Sequence, residues 1–134
     1  MIKFFNSLTR QLEEFKPIFP NKVGIYGCGP TVYDYIHIGN LRSFVLYDLV
    51  HRLFLVNDYE VNFVENITDV EDKIIKRSTE KGITPDQLTA EFTQYFFDDL
   101  ATLNILPATN YPKATEHIGK MIKYIEELIA KDLA

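Results

Sequence analysis

Hydrophobic positions in the first half of the chain change from strand-like to helix-like spacing and back. Apolar residues fill the run at 23–26, and a loop rich in glycine and proline follows at 27–30. From about Gly39 to Val56, apolar residues recur three and four positions apart, and residues 60–64 then alternate polar and apolar. This pattern predicts a strand, a long helix with a broad buried face, and a second strand. Because a helix connects the two strands, we expect them to be parallel, as in a βαβ unit.

The second half of the chain carries the signals of helices. Thr68 and Glu71 match a capping box, so we expect Thr68 to be the N-cap of a helix that ends near Gly82. Asp69 and Asp72 would then be acidic residues of its first turn, where the helix dipole favours negative charge.

Two further helices follow. A second capping box at 84–87 has proline at the first helical position. The aromatic residues of this helix recur at helical spacing without interleaved basic residues, which favours core packing over stacking on nucleic-acid bases: Phe92, Tyr95, Phe96 and Phe97. A last helix, from about Thr115, carries an apolar stripe along one face.

The composition is that of an ordinary globular protein, with 46% hydrophobic and 25% charged residues among 134. A net charge of −5 argues against the basic surface that drives non-specific nucleic-acid binding. The single cysteine cannot form an internal disulfide. The sequence shows neither a signal peptide nor an apolar run of about 18 residues, the length that crosses a bilayer. We therefore expect a cytoplasmic, monomeric protein without a membrane segment.

Two parallel strands alone leave a sheet incomplete, because parallel sheets are covered by helices on both faces and their edges are protected. The chain is therefore expected to be the opening part of a larger α/β protein. Later strands of that protein would complete the sheet.

Residues 26–40, with the sequence YGCGPTVYDYIHIGN, connect the first strand to the long helix. Ligands of open α/β sheets bind at such a place, where the strand ends form a crevice and unpaired N–H groups at the helix N-terminus favour an anion. His37 would donate to a phosphate, and Gly39, without a side chain, would let a flat ring approach. On spacing alone, a surface histidine beside a glycine explains these residues equally well.

The same stretch resembles the start of cysteinyl-tRNA synthetases, class I enzymes whose HIGH signature stands here at 37–40 with asparagine in the last position. The segments FFNSLTRQLEEFKPI, FVENITDVEDKIIKRS and LNILPATNYPKATEHI extend the resemblance over nearly the whole chain. It implies the N-terminal portion of a Rossmann-like parallel-sheet catalytic domain, followed by a mainly helical segment. Residues 1–100 would form the first half of that domain, and 101–134 would begin an inserted connective region.

The resemblance also implies roles for the HIGH residues. His37, Gly39 and Asn40 would bind ATP, which enters with Mg²⁺, and His37 and Asn40 would act in catalysis. His37 would stabilise charge on the α-phosphate as the carboxylate of cysteine attacks. Asn40 keeps a hydrogen-bond donor but carries no charge, so we expect its role to be positional.

Cys28 is the residue most particular to this family. The resemblance implies that it is one ligand of a zinc ion that also takes the thiolate of the substrate, a bond that serine cannot match. Without the resemblance, a lone cysteine after a strand is interpreted as a small buried hydrophobe. Gly29, Thr31 and Thr68 would line the cysteine pocket. The remaining zinc ligands and the KMSKS loop would lie beyond residue 134, since the two other histidines lack ligand spacing relative to Cys28.

The implied function is ATP-dependent activation of cysteine to cysteinyl-adenylate, with transfer of the cysteinyl group to tRNA-Cys. Two alternatives stay open. A ligase that joins cysteine to a small amine, of the type found in mycothiol synthesis, would share the zinc and HIGH residues. A truncated relative without catalytic activity would serve as a binding or regulatory module.

Overall fold

Two parallel strands joined by a long helix form the centre of the chain, of which a computed structural model describes residues 1–134. In chain order the elements are β1 (Lys3–Asn6), β2 (Gln11–Glu14), β3 (Lys22–Gly27), α1 (Ile38–Leu55), β4 (Glu60–Glu65), α2 (Asp72–Lys81), α3 (Pro85–Thr102), a 3₁₀ turn (Thr115–His117) and α4 (Ile118–Ala130). β3 and β4 pair in parallel over their full lengths. The βαβ unit predicted from the hydrophobic pattern is confirmed, and the fold is α/β.

The hydrophobic core lies where α2 and α3 pack beside the loop after β3 and the N-terminal part of α1. Its buried members are Val32, Phe44, Ile67, Ile74, Leu88, Phe92, Phe96 and Leu100. The second capping box is confirmed, because the Thr84 hydroxyl accepts from the Gln87 N–H and the Gln87 side chain accepts from the Thr84 N–H. Core packing is confirmed for the buried aromatic residues of α3, whereas Tyr95 is 36% exposed and stacks on Tyr35.

Parallel pairing continues beyond the two strands. Thr31 forms a bridge with Thr68, and the Thr68 N–H donates to the Pro30 carbonyl at 2.9 Å. The prediction that Thr68 is the N-cap of the next helix is therefore wrong. α2 begins at Asp72 with Glu71 as its N-cap, because the bridge to the loop after β3 holds the backbone around Thr68 outside the helix.

The segment after α3 runs along the other edge of β4. Asn110 forms a parallel bridge with Val64, and the Thr109 N–H donates to the Phe63 carbonyl at 2.7 Å. Asp69 is not the first-turn acid that the capping box predicted. Its carboxylate instead accepts from the Thr115 N–H and hydroxyl, at 2.9 and 2.6 Å, and so ties the start of the last helical segment to the end of the sheet.

A hairpin of β1 and β2 precedes the parallel pair, and the hydrophobic pattern did not predict it. Its four-residue strands are short and mostly exposed, so they carry no clear alternation. Aromatic contacts hold the hairpin in place. Phe4 and Phe15 lie against Phe54 near the end of α1, with ring centroids 5.9 and 4.8 Å from it.

Apolar residues remain exposed on α1 and α4. Only Phe44, His51 and Phe54 are buried on α1. Within the 134 residues, the prediction of a broadly buried face is therefore wrong for the outer side of this helix. The exposed positions there include Val45, Leu46 and Leu49, and Val56 directly after the helix is exposed as well. No residue of α4 is buried, because its apolar stripe has no partner among the 134 residues. None of the helices combines the length and apolar character that crossing a bilayer would require.

The loop after β3 passes directly over the backbone that follows β4. A Cβ atom placed on Gly29 would lie 1.6 Å from the carbonyl oxygen of Asn66, so the two segments approach this closely only because residue 29 is glycine. A Cβ atom placed on Gly24, within β3, would have no atom within 4 Å.

We expect Gly29→Ala to lower the free energy of unfolding by about 1 to 3 kcal/mol, because backbone rather than a flexible side chain must move. Gly24→Ala is the matched control and should not lower it, because the added side chain meets no atom within 4 Å and alanine is favoured over glycine within a strand. Urea unfolding followed by circular dichroism measures both. Equal effects of the two substitutions would contradict the close approach.

Glu65, the last residue of β4, is a buried carboxyl group. It is 2% exposed, and its Oε1 atom has no hydrogen-bond partner. Burial raises the pKa of Glu65 from its ordinary value of 4.5 to about 7. The folded chain therefore holds this proton across a pH range in which the unfolded chain has lost it.

The consequence for stability has a definite sign. Between pH 4.5 and about 7 the unfolded state loses the Glu65 proton first, so stability should fall as pH rises. The total loss should be at most about 3 kcal/mol. Glu65→Gln should remove this part of the pH dependence, and chemical denaturation at pH 4.5 and 7.5 measures it. Parallel pH profiles for the two proteins would contradict the prediction.

Candidate active site

The ends of β3 and β4 bring four of the sequence-predicted site residues to one edge of the sheet. Cys28 and Gly29 follow β3 directly, and Thr31 is bridged to Thr68, which lies three residues beyond β4. Parallel strands end at the same edge, which is where ligands of open α/β sheets bind. Residues that are about 40 positions apart in sequence are therefore neighbours in this region.

Asn66 connects the two segments through its side-chain amide. Its Oδ1 atom accepts from the Gly29 N–H at 3.1 Å and from the Tyr26 hydroxyl at 2.9 Å. Its Nδ2 atom donates to the Thr68 hydroxyl oxygen at 3.0 Å. The loop that carries Cys28 is thus held to the backbone after β4 by side-chain as well as backbone contacts.

Cys28 is exposed, so its interpretation as a buried hydrophobe is wrong. The only polar contact of its thiol is a long one, 3.9 Å, to the Gly29 carbonyl. An accessible thiol at the strand ends fits the role of one zinc ligand, because zinc favours sulfur. The chain contains no cluster of three or more residues of metal-binding type. It could therefore supply one ligand of a tetrahedral site.

The two histidines outside the HIGH signature are held by other contacts and are not placed as zinc ligands. His51 is buried against Phe63, with ring centroids 5.5 Å apart, and burial lowers its pKa. His117 lies next to the Lys113 carbonyl, 3.0 Å from its Nδ1 atom. Both are accounted for by packing and local hydrogen bonding.

His37 is the N-cap of α1. Its Nδ1 atom accepts from the Gly39 N–H at 3.0 Å, while its carbonyl accepts from the N–H groups of Asn40 and Leu41. Because Nδ1 is an acceptor, the proton of the neutral ring is on Nε2, which is left to donate to a ligand. The expectation of unpaired backbone N–H groups is wrong for these three residues. An anion here would be bound chiefly by side chains.

A cleft of about 230 Å³ opens in front of this helix start. Thr31, His37 and Asn40 line it, and so does Lys73 from α2. Gly39 is exposed, and only the His37 ring lies within 4 Å of the point where a side chain would begin. A larger cavity of about 470 Å³ lies elsewhere, near Lys22 and Glu60 at the amino ends of the strands.

Two residues of this region were not identified from the sequence. Lys73 adds a positive charge to the cleft and lies 5.6 Å from the centre of the Tyr33 ring. Asn66 connects the loops. Its place directly after a strand was the one signal that could have indicated it. Asp34 accepts from Arg77 at 3.0 Å and so ties the loop before His37 to α2.

Comparison with known proteins identifies the family of this chain. The family model described as the catalytic domain of class I (C) tRNA synthetases matches residues 14–134. The chain is 50% identical over its whole length to a cysteine–tRNA ligase of Limosilactobacillus reuteri. It is 51% identical, again over its whole length, to cysteine–tRNA ligases of Chromobacterium violaceum and Methanococcus maripaludis.

The chain covers only part of these relatives. It spans 28% of the L. reuteri and M. maripaludis proteins and 29% of the C. violaceum protein. The family match nevertheless includes every candidate residue described above, from Tyr26 to His117. The chain therefore belongs to the family of class I (C) tRNA synthetase catalytic domains.

Proposed function

We propose that this chain is the part of a cysteine–tRNA ligase that binds ATP and cysteine for formation of cysteinyl-adenylate. The cysteinyl group would then be transferred to tRNA-Cys by the whole protein. Three observations support the proposal: family membership, the names of the relatives, and the grouping of candidate residues at the strand ends.

The position of Thr31 carries the proposal. Thr31 is bridged to Thr68 on the side of Cys28, and it also lines the cleft that contains His37 and Asn40. Adenylate formation requires an amino acid and ATP side by side, because a carboxylate oxygen must reach the α-phosphorus. A residue shared by the two proposed subsites meets this requirement.

The side chains of the cleft suit a polyphosphate. His37 would donate from Nε2 to an α-phosphate oxygen, and Asn40 would position the nucleotide by hydrogen bonding. Gly39, which is exposed and has no side chain, would let the adenosine approach the backbone. The carboxylate oxygen forms a bond to the α-phosphorus while the bond to the pyrophosphate oxygen breaks, and fixed donors stabilise the charge that develops. Mg²⁺ would enter with ATP.

The cysteine side would consist of Cys28, Gly29, Thr31 and Thr68. Cys28 would bind zinc together with ligands from other parts of the protein, and zinc when bound would hold the substrate thiolate and so select sulfur over oxygen. Gly29 would let the loop that carries Cys28 pack against the Asn66 backbone, and Thr68 would offer its hydroxyl.

The other predictions about the whole protein have unequal support. The three relatives named above are all cysteine–tRNA ligases, which favours tRNA over a small amine as the acceptor. Division of the chain into a catalytic part at 1–100 and the beginning of an insertion at 101–134 stays a prediction. The cytoplasmic location and the monomeric state stay predictions as well.

ATP–pyrophosphate exchange on the full-length protein that carries this chain tests the proposal. Exchange should require cysteine, should exceed exchange with serine by about 10⁴, and should be lost when zinc is chelated. The 134 residues alone should be inactive. Absence of cysteine-dependent exchange in the folded, zinc-loaded protein would overturn the proposal. Robust exchange by the 134 residues would show that the rest of the protein is not needed for this step.

Cys28→Ser tests the zinc role separately. In the full-length protein it should lose zinc and reduce cysteine-dependent exchange at least about a hundredfold, because a direct ligand is removed. His117→Asn is the matched control and should retain both, since His117 lies against the Lys113 carbonyl. Metal content is measured by mass spectrometry of the purified proteins. Wild-type zinc content in Cys28→Ser would refute ligation by Cys28.

A further inference from the structure

The side chain of Asn66 lies between the two segments that form the proposed cysteine pocket, the loop after β3 and the segment after β4. Its carbonyl oxygen accepts from the Gly29 N–H and the Tyr26 hydroxyl, and its amino group donates to Thr68. The backbone carbonyl of the same residue lies where a side chain at position 29 would have to be. Asn66 thus contacts the loop after β3 through its side chain and its main chain.

The direction of the bond to Thr68 determines what the Thr68 hydroxyl can still do. A hydroxyl group has one proton and can accept through its lone pairs. Because Thr68 accepts from Asn66 Nδ2, its own proton is not used in that bond, and it donates to no other atom of the chain. Thr68 is half-buried at the strand ends, so its hydroxyl could donate a hydrogen bond to an acceptor atom of a bound ligand.

We infer that Asn66 is a positioning residue for the amino-acid substrate. It anchors the Gly29 backbone and orients the Thr68 hydroxyl as a donor to an acceptor group of bound cysteine. This inference rests on the proposed function and adds to it a residue that does not itself touch the substrate.

Asn66→Asp separates this role from a purely structural one. A carboxylate of the same size can still accept from Gly29 and Tyr26, but it has no proton to donate. The Thr68 hydroxyl would then donate to Asp and would no longer be free to donate to the substrate. Tyr26→Phe is the matched control, because it removes one partner of Oδ1 and leaves the bonds to Gly29 and Thr68 unchanged.

Steady-state kinetics of ATP–pyrophosphate exchange by the full-length protein give the first test. Asn66→Asp should raise KM for cysteine about tenfold, the effect of one lost hydrogen bond, with KM for ATP changed less than about twofold. Tyr26→Phe should stay within about twofold of wild type for both substrates. In a Thr68→Val background, Asn66→Asp should have no further effect on KM for cysteine. An unchanged KM for cysteine in Asn66→Asp, or the same increase in the Thr68→Val background, would overturn the inference.

Hydrogen exchange at the Gly29 amide gives a test that does not depend on activity. Asn66→Ala should accelerate this exchange at least about tenfold, whereas Asn66→Asp should keep it close to wild type. Unchanged exchange in Asn66→Ala would overturn the anchoring role, whatever the activity. If the wild-type protein instead showed no cysteine-dependent ATP–pyrophosphate exchange, the proposed function would be overturned, and with it the substrate that we assign to Thr68.

Discussion

The parallel pairing of β3 with β4, continued through Thr31 and Thr68, determines the position of every candidate residue. Once the two strands are in register, the loops after them leave the sheet at the same edge and must pass one another. They do so with the Gly29 backbone against the Asn66 carbonyl, an approach that no side chain at position 29 would allow. This contact and the Asn66 amide hold an exposed thiol, a hydroxyl group and the start of α1 in a common region, although most of the loop lacks regular secondary structure.

The start of α1 differs from a simple anion site made by a helix N-terminus. His37 uses its own Nδ1 atom and carbonyl to satisfy the first N–H groups of the helix. This capping leaves Nε2 free as a donor, and under the proposed function a phosphate here would be bound chiefly by side chains. The cleft is lined by both a positive and a negative side chain, Lys73 and Asp34, in a chain whose net charge is −5. Overall acidity therefore says little about the charge next to one small ligand.

Two helices, α1 and α4, carry exposed apolar surface. The outer side of α1 and the stripe of α4 have the spacing of buried helix faces, yet residues such as Leu49 and Ile125 are more than half exposed. The periodicity of a helix shows which of its faces is apolar. Whether that face is buried depends on partners that lie far away in the sequence. The chain spans 28% of the length of the L. reuteri relative, and its hydrophobic pattern matches a larger core than its own residues provide.

The sequence by itself determined the elements with strong local signals. These are the strand at β3, the crossover helix, the strand at β4 and the capped start of α3, because periodicity, glycine and capping residues act within a few positions. Residues 37–40 and Cys28 also identified the family without a structure. Only the tertiary structure decided that Thr68 pairs with the loop after β3 instead of capping α2, and that Asn66 bonds both segments. The S/T-x-x-E pattern fits a helix cap at Thr68, and the hydrogen bond from the Thr68 N–H to the Pro30 carbonyl outweighs that cap only after the two strands have paired.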